Sequence, residues 1–223
     1  MTIPFYVSPE QLMADKAEYA RKGIAKGKST VALEYRDGIL LMAENPSTSL
    51  NKISEIYDRI AFAGVGKYGE FENLRKVGIR YADIKGFAYS REDVTAKSLA
   101  NAYSQAIGAI FTQEMKPLEV EILVVEVGET PAGNSMYHIS FDGSISDHRG
   151  YAVIGGQAEG ISTYLKGNCQ TDLPQEEAIQ LAKQALRSVE SGLREESLEI
   201  AVLDRTRKGR KFTRLATNAN KGP

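Results

Sequence analysis

The spacing of apolar positions along the chain predicts an alternation of helices with groups of strands. The first helix should begin after Ser8, which can cap it, because Pro9 suits a first helical position and apolar residues then recur every three or four positions up to Ile24. The end of this helix is expected near residues 23–27. Further helices are predicted at 69–86, 91–114, 157–168 and 175–191, and strands at 31–36, 39–43, 51–57, 59–64, 120–127, 136–141, 144–152, 198–204 and 210–215.

This order of elements favours an α+β fold. The later helices come in pairs between groups of strands, whereas a parallel doubly wound sheet alternates single helices with single strands. Two antiparallel sheets packed face to face, with a helix pair on each outer face, would bury the apolar stripes. We therefore predict a four-layer α-β-β-α sandwich. No linker or shift in composition divides the chain, so residues 1–223 are expected to form a single domain.

Composition and charge exclude several classes of protein. Of the 223 residues, 42% are hydrophobic and 26% are charged, and the net charge of −1 offers no general attraction for nucleic acid or a membrane. The single cysteine, Cys169, excludes a disulfide framework. No apolar run reaches the roughly 18 residues that a membrane span needs, and the first residues lack the features of a secretion signal. We expect a cytoplasmic protein without a membrane or nucleic-acid partner.

The hydroxyl residues at the start of the first hairpin raise the question of catalysis. Ser29-Thr30 runs directly into a strand, as in hydrolases that use an N-terminal threonine. Such an enzyme takes the α-amine of that threonine as its general base, so the threonine must be the first residue of the mature chain. Here 29 residues precede Thr30, and they contain a capped amphipathic helix rather than a disposable propeptide. Thr30 is therefore predicted to be an ordinary strand residue.

Two histidines and the cysteine could suggest a zinc site. A hairpin turning at Asp142-Gly143 would place His138 opposite residue 147, so that His148 points to the other face of the strands. On that register the two histidines cannot share a metal ion with Cys169, and no metal is expected.

Two further motifs receive structural interpretations. The glycine-rich residues 155–160 lack the Gly-Lys-Ser/Thr ending of a phosphate-binding loop, and a tight strand-to-helix turn is the preferred interpretation. The basic residues 205–214 fit a solvated edge strand, since charges on an edge block unwanted pairing, although a nucleic-acid-binding patch is a second possibility.

Four stretches of the sequence together resemble a known family. They are SPEQ, EYARKGIAKGKSTVALEYRDGILLMAEN, NKISEIYDRIAFAGVGKYGE and YAVIGGQAEGISTYLK. They resemble the α-type subunits of the proteasome core particle, in particular the bacterial (actinobacterial) branch, over about residues 8–204. The resemblance implies the sandwich fold of N-terminal nucleophile hydrolases and a heptameric ring stacked against rings of catalytic β-type subunits. It implies neither a catalytic residue nor a cofactor here, and the β-type pattern of a glycine followed directly by two threonines is absent before Thr30.

The resemblance also implies a binding pocket for an activator. Lys52 matches the lysine that, in the family, pairs with the C-terminal carboxylate of an activator's tail at a pocket between neighbouring subunits. An ammonium group suits a single terminal carboxylate, and partial burial strengthens such a bond. Gly66 falls where the family uses a backbone contact, and Lys67 stands where archaeal relatives have an apolar residue. Without the resemblance, Lys52 would be interpreted as a solvated lysine at a strand end.

The N-terminal segment is the candidate gate of the ring. Residues 1–7 are short and mostly apolar, and they precede the predicted helix 8–26, so seven copies around an axis could block a pore. The candidate gate residues are Thr2, Ile3, Pro4, Phe5, Tyr6, Val7, Ser8, Pro9 and Tyr19. The Tyr-Asp-Arg triplet that orders the open gate in archaeal members is absent, although Pro9 and Tyr19 match other members of that cluster. The alternative for residues 1–7 is a frayed terminus.

These observations lead to one main hypothesis and two alternatives. The chain is interpreted as a non-catalytic ring subunit that seats catalytic β subunits, gates the axial entrance and docks the tails of an AAA ATPase unfoldase ring or another activator. A β-type threonine peptidase with an N-terminal extension is the first alternative, and a nucleic-acid-binding module using residues 205–214 is the second. The last residues, 216–223, are expected to be disordered.

Overall fold

The computed structural model describes residues 8–47, 49–170, 172–189 and 192–215, so the predicted gate segment 1–7 and the tail 216–223 lie outside the described residues. Within these ranges the helices are Pro9–Ile24 (α1), Tyr68–Ala88 (α2), Ala96–Gln113 (α3), Ala158–Asn168 (α4) and Gln175–Arg187 (α5). The strands are Thr30–Tyr35 (β1), Gly38–Glu44 (β2), Ile53–Tyr57 (β3), Ile60–Gly66 (β4), Val120–Glu126 (β5), Ser135–Ile139 (β6), Ile145–His148 (β7), Tyr151–Ile154 (β8), Leu198–Asp204 (β9) and Phe212–Leu215 (β10).

The strands form two five-stranded antiparallel sheets. The first has the order β10-β9-β2-β1-β8 and the second the order β3-β4-β5-β6-β7. Helices α4 and α5 cover the outer face of the first sheet, and α2 and α3 cover the outer face of the second. A third apolar layer, which includes Leu41, Leu123 and Val125, fills the space between the sheets. The predicted α-β-β-α sandwich is confirmed. None of the described helices combines the length and apolar character needed to cross a membrane.

Alternation along the strands explains how one sequence fills three apolar layers. In β1, Val31 and Leu33 pack against the helices α4 and α5, whereas Ala32 between them faces the second sheet. Strand β2 is buried along its whole length because it lies inside the first sheet and is covered on both faces. The continuous apolar run of β5 has the same cause in the second sheet.

The predicted strand 144–152 is wrong as a single element. It is two strands, because β7 belongs to the second sheet and β8 to the first. The chain changes sheets at Gly150, whose φ of 77° lies in the left-handed region. Glu34 holds this turn, since its carboxylate accepts the N–H of Gly150 at 2.9 Å. The turn therefore depends on a partner that is distant in sequence.

The third helix also begins later than the predicted residue 91. A short 3-10 turn occupies Arg91–Asp93, and α3 starts at Ala96. The hydroxyl of Thr95 caps it by accepting the N–H of Ser98 at 3.2 Å. The cap was overlooked because the apolar stripe of the helix alone does not locate its first residue.

Helix α1 is attached to the sandwich by a buried lysine. Its apolar residues Ala20 and Ile24 pack against Phe141. Lys16 is only 7% exposed, and its ammonium group donates to the carbonyls of Phe111 at 3.2 Å and Glu114 at 2.7 Å. These carbonyls lie at the C-terminal end of α3, where the helix dipole favours a positive charge.

Replacing Lys16 with methionine should therefore destabilise the protein by about 1–3 kcal/mol, because two carbonyls lose a charged donor. Differential scanning calorimetry should record this as a lower melting temperature. The matched control is Lys22→Met on the same helix, where the lysine is 73% exposed and pairs with Glu18. The control should change stability by less than about 0.5 kcal/mol, since exposed ion pairs contribute little. Equal effects of the two substitutions would contradict the role of Lys16.

Candidate functional site

Thr30 lies on a strand inside the first sheet. It is the first residue of β1, pairs with Ala43 and Ile154, and is fully buried. Its hydroxyl oxygen has no hydrogen-bond partner in the described part of the chain. Residues 8–29 run continuously into it, including α1. An N-terminal threonine mechanism would require this chain to be cut directly before Thr30.

The segment before Thr30 is held by the turn that follows β8. The N–H of Gln157 donates to the hydroxyl of Ser29 at 3.2 Å. A Cβ on Gly155 would lie only 2.9 Å from the Cα of Ser29, so this position needs glycine for the close approach. The glycine-rich stretch begins with a tight turn between β8 and α4, as predicted, and this turn also holds the start of β1.

Lys52 lies directly before β3, and its backbone and side chain are both held by hydrogen bonds. Its backbone N–H donates to the Glu199 carboxylate at 2.8 Å, and its carbonyl accepts the N–H of Gly64 at 3.1 Å. Its ammonium group donates to the carbonyl of Lys28 at 2.6 Å. The lysine therefore has a defined backbone conformation and a defined side-chain direction.

Gly66 and Lys67 form the junction between β4 and α2. Gly66 has a φ of 108°, and a Cβ there would lie 1.9 Å from the carbonyl oxygen of Glu119, so only glycine fits. The N–H of Lys67 donates to the same oxygen at 2.9 Å. The side chain of Lys67 is 57% exposed and pairs with Glu70 at 3.7 Å.

The loop after α1 brings these predicted binding residues together. A Cβ on Gly27 would lie 3.0 Å from the backbone nitrogen of Gly66. The carbonyl of Lys28, the next residue, accepts a hydrogen bond from the ammonium group of Lys52. The ammonium group of Lys28 pairs with the nearly buried carboxylate of Glu44 at 3.0 Å. Three lysines (Lys28, Lys52 and Lys67) and three carboxylates (Glu44, Glu70 and Glu199) thus lie at one end of the sandwich near the start of α2. Such a site can accept a carboxylate through charge-assisted hydrogen bonds.

The candidate gate residues that the structure describes lie on α1. The hydroxyl of Ser8 accepts the N–H of Gln11 at 3.2 Å, and Pro9 is the first helical residue, so the predicted cap is confirmed. Tyr19 is 48% exposed, and the ammonium group of Lys116 lies 5.6 Å from its ring centroid. Pro9 and Tyr19 are about 15 Å apart along the helix axis, so one subunit does not bring them into one cluster. Residues 2–7 lie outside the described ranges.

The histidine register differs from the prediction. His138 pairs with Ser146 rather than with residue 147, so His138 and His148 lie on the same face, with ring centroids 6.2 Å apart. The reason is the turn: Ser140 and Ser144 are bonded to each other, which leaves a three-residue loop instead of a two-residue one. The argument from opposite faces was wrong.

His138 lies in a buried environment beside His148 and Glu121. Burial, and to a smaller extent the neighbouring His148, lowers the pKa of His138 to about 4. Burial also raises the pKa of the Glu121 carboxyl group, which lies 3.8 Å from His138. Among the residues that the structure describes, no group of three or more His, Cys, Asp or Glu residues is arranged to hold a metal ion.

Several basic side chains of residues 205–214 are engaged within the chain. Arg205 donates to the carbonyl of Gly128 at 2.9 Å, and Arg210 pairs with Glu55. Arg214 pairs with Glu199. The Arg205 and Arg210 contacts reach the second sheet, and the Arg214 contact joins β10 to β9. This engagement favours the structural interpretation of the segment over a nucleic-acid-binding patch.

Sequence reasoning missed Glu199, the residue that contacts the backbone of Lys52. Its side chain is 10% exposed and accepts hydrogen bonds from two backbone N–H groups and from Asn45. The available signal was a glutamate inside the apolar run of β9, but that signal does not name its partner. Lys16 was also missed, because it lies in a helix with many exposed charges and its sequence position does not distinguish it from them.

Comparison with known proteins extends the similarity over almost the whole chain. Residues 24–203 match the family described as proteasome subunit. A protein named proteasome subunit alpha from Xylanimonas cellulosilytica is 54% identical over 230 aligned residues, which cover 96% of this chain and 93% of that protein. Proteins of the same name from Acidothermus cellulolyticus and Streptomyces avermitilis are 55% and 56% identical, again over 96% of this chain, and over 94% and 87% of their own lengths.

Proposed function

The chain belongs to the family of proteasome subunits and is of its non-catalytic α type. From this premise we propose that it forms the outer ring of a core particle, gates the entrance of that ring and provides the docking sites for an activator. Heptameric rings of this chain seat rings of catalytic β subunits. Residues 1–7 close the axial entrance, and the site around Lys52 binds the C-terminal tails of an AAA ATPase ring or another activator. The particle thereby supports ATP-dependent protein degradation in the cytoplasm.

The observation that carries the docking proposal is the attachment of Lys52. Its ammonium group donates to the backbone carbonyl of Lys28, beside the Gly66–Lys67 junction, and this bond defines the direction of the side chain. A terminal carboxylate is a point-like anion, so it matches an ammonium group whose position is already set. Lys28 and Lys67 add positive charge at the same end of the sandwich.

Exposed apolar residues at the end of α2 support assembly with other subunits. Ile84, Phe87 and Tyr89 are 62%, 94% and 78% exposed. A cluster of large apolar side chains in contact with water is typical of a protein–protein interface. We propose that this end of α2 contacts another subunit of the particle.

Co-expression with a catalytic β subunit tests the assembly. Electron microscopy should show stacked rings with sevenfold symmetry, and peptide hydrolysis should require the catalytic threonine of the partner. Mass spectrometry should find this chain uncut before Thr30. Hydrolysis by this chain alone, after loss of the residues before Thr30, would overturn the proposal and support the threonine peptidase alternative.

A further inference from the structure

We propose that Glu199 is a positioning residue for Lys52, through which it sets the affinity of the docking site for a terminal carboxylate. The inference rests on the proposed docking function. Glu199 belongs to β9 in the first sheet, whereas Lys52 precedes β3 in the second. Its carboxylate accepts the N–H of Lys52 at 2.8 Å and the N–H of Ile53 at 3.1 Å. One side chain thus links the two sheets at the proposed docking lysine.

The location of β3 explains why this contact matters. Among the strands that the structure describes, β3 lies at the edge of the second sheet and is paired with β4 on one side. A backbone N–H group that points away from β4 therefore needs an acceptor other than a described strand. Glu199 supplies an acceptor for the N–H of Ile53, the first residue of β3, and it also accepts the N–H of Lys52, just before the strand. The Lys52 backbone is thereby held by Glu199 as well as by Gly64, whose N–H bonds the Lys52 carbonyl.

Two further side chains hold the carboxylate in place. The amide of Asn45 donates to Glu199 at 2.8 Å and to the carbonyl of Leu50 at 2.6 Å, which closes the loop between β2 and β3. Arg214 pairs with Glu199 and also donates to the carbonyl of Ile53. The carboxylate is therefore oriented from both sheets, and its charge is partly neutralised by Arg214.

The consequence for binding is one of preorganisation. With Glu199 present, the Lys52 backbone is fixed before a ligand arrives, and the side chain extends to the carbonyl of Lys28. Without Glu199, the loop must be ordered during binding, and this ordering lowers the affinity. We expect Glu199→Ala to weaken tail binding about tenfold. This factor corresponds to the entropy cost of ordering one long side chain and its loop during binding.

The test uses the assembled particle with its catalytic β subunit. The probe is a short fluorescent peptide with a free C-terminal carboxylate, and the same peptide with an amidated C-terminus is the control. Binding is measured by fluorescence anisotropy for the unaltered chain, Glu199→Ala, Glu199→Gln, Lys52→Ala and the double variant Glu199→Ala/Lys52→Ala. Electron microscopy confirms assembly of each particle, and Glu199→Gln serves where Glu199→Ala fails to assemble, because it keeps one acceptor oxygen.

The double variant separates positioning from general stability. If Glu199 acts through Lys52, its removal should weaken binding about tenfold in the unaltered chain and should have no further effect once Lys52 is alanine. Glu199→Gln should recover part of the affinity, and the amidated peptide should be insensitive to Glu199. An equal loss in both backgrounds, or no loss in either glutamate variant while Lys52→Ala loses binding, would overturn the positioning role and leave the docking proposal intact. Unchanged binding by Lys52→Ala would reject the docking proposal itself and the inference with it.

Discussion

Replacing Lys52 with alanine is expected to abolish the stimulation of peptide hydrolysis by a tail-bearing ATPase ring. A hydrogen bond between charged groups contributes about 1.5–3 kcal/mol, so each tail should bind roughly 10- to 100-fold more weakly. In the proposed particle several tails would engage one ring, and the loss would then be multiplied because each bound tail raises the effective concentration of the next. Stimulation should be measured as the ratio of hydrolysis rates with and without the activator.

A lysine outside the site provides the matched control. Lys76 lies on the exposed surface of α2, 65% exposed, and pairs with Glu72 at 3.8 Å. Lys76→Ala removes the same charge from the chain, so particles carrying it should retain full stimulation. Full stimulation of both the Lys52 and the Lys76 variant would remove Lys52 from the docking site. The same loss of stimulation in both variants would indicate a general electrostatic effect.

Deleting residues 2–7 is expected to accelerate the hydrolysis of long peptides by the assembled particle several-fold. These residues are the proposed gate, and their removal opens the axial entrance, so that admission of the substrate no longer limits the rate. The deletion should stop before Ser8, because the Ser8 hydroxyl caps α1 and its loss costs about 1 kcal/mol of helix stability. Rates are compared for peptides of increasing length.

The controls for this deletion separate blocking from other effects. A tripeptide substrate passes a narrow entrance more easily, so its hydrolysis should change less than that of a long peptide. Replacing residues 2–7 with glycine and serine keeps the length but removes the apolar packing, and it should also accelerate long peptides. Long-peptide rates that match the unaltered particle in both variants would reject residues 1–7 as the gate.

Local signals in the sequence predicted most of the elements correctly. Ser8 and Pro9 located the start of α1, because a cap and a first-turn proline act within a few residues. The apolar run at 120–127 predicted the buried strand β5, since a strand covered on both faces needs apolar residues throughout. The paired order of helices then predicted the sandwich. Each of these signals depends only on neighbours along the chain.

Predictions that depended on distant partners were less successful. The turn at Asp142-Gly143 was located correctly, yet its loop is one residue longer than expected, and this reversed the relative orientation of His138 and His148. A strand has a period of two, so a register error of one residue exchanges its faces. The change of sheets at Gly150 was missed because the Glu34 carboxylate that holds it is 116 residues away.

The sequence by itself determined the order of the elements, the resemblance to α-type proteasome subunits and the candidacy of Lys52. Only the tertiary structure decided how that lysine is held, because its contact with Glu199 spans 147 residues and its ammonium group meets a backbone carbonyl that no side-chain pattern marks. Lys16 is a similar case, since 98 residues separate it from the Glu114 carbonyl that it caps. Periodicity records which face of an element is buried, but the partner across that face is set by how the sheets and helices pack.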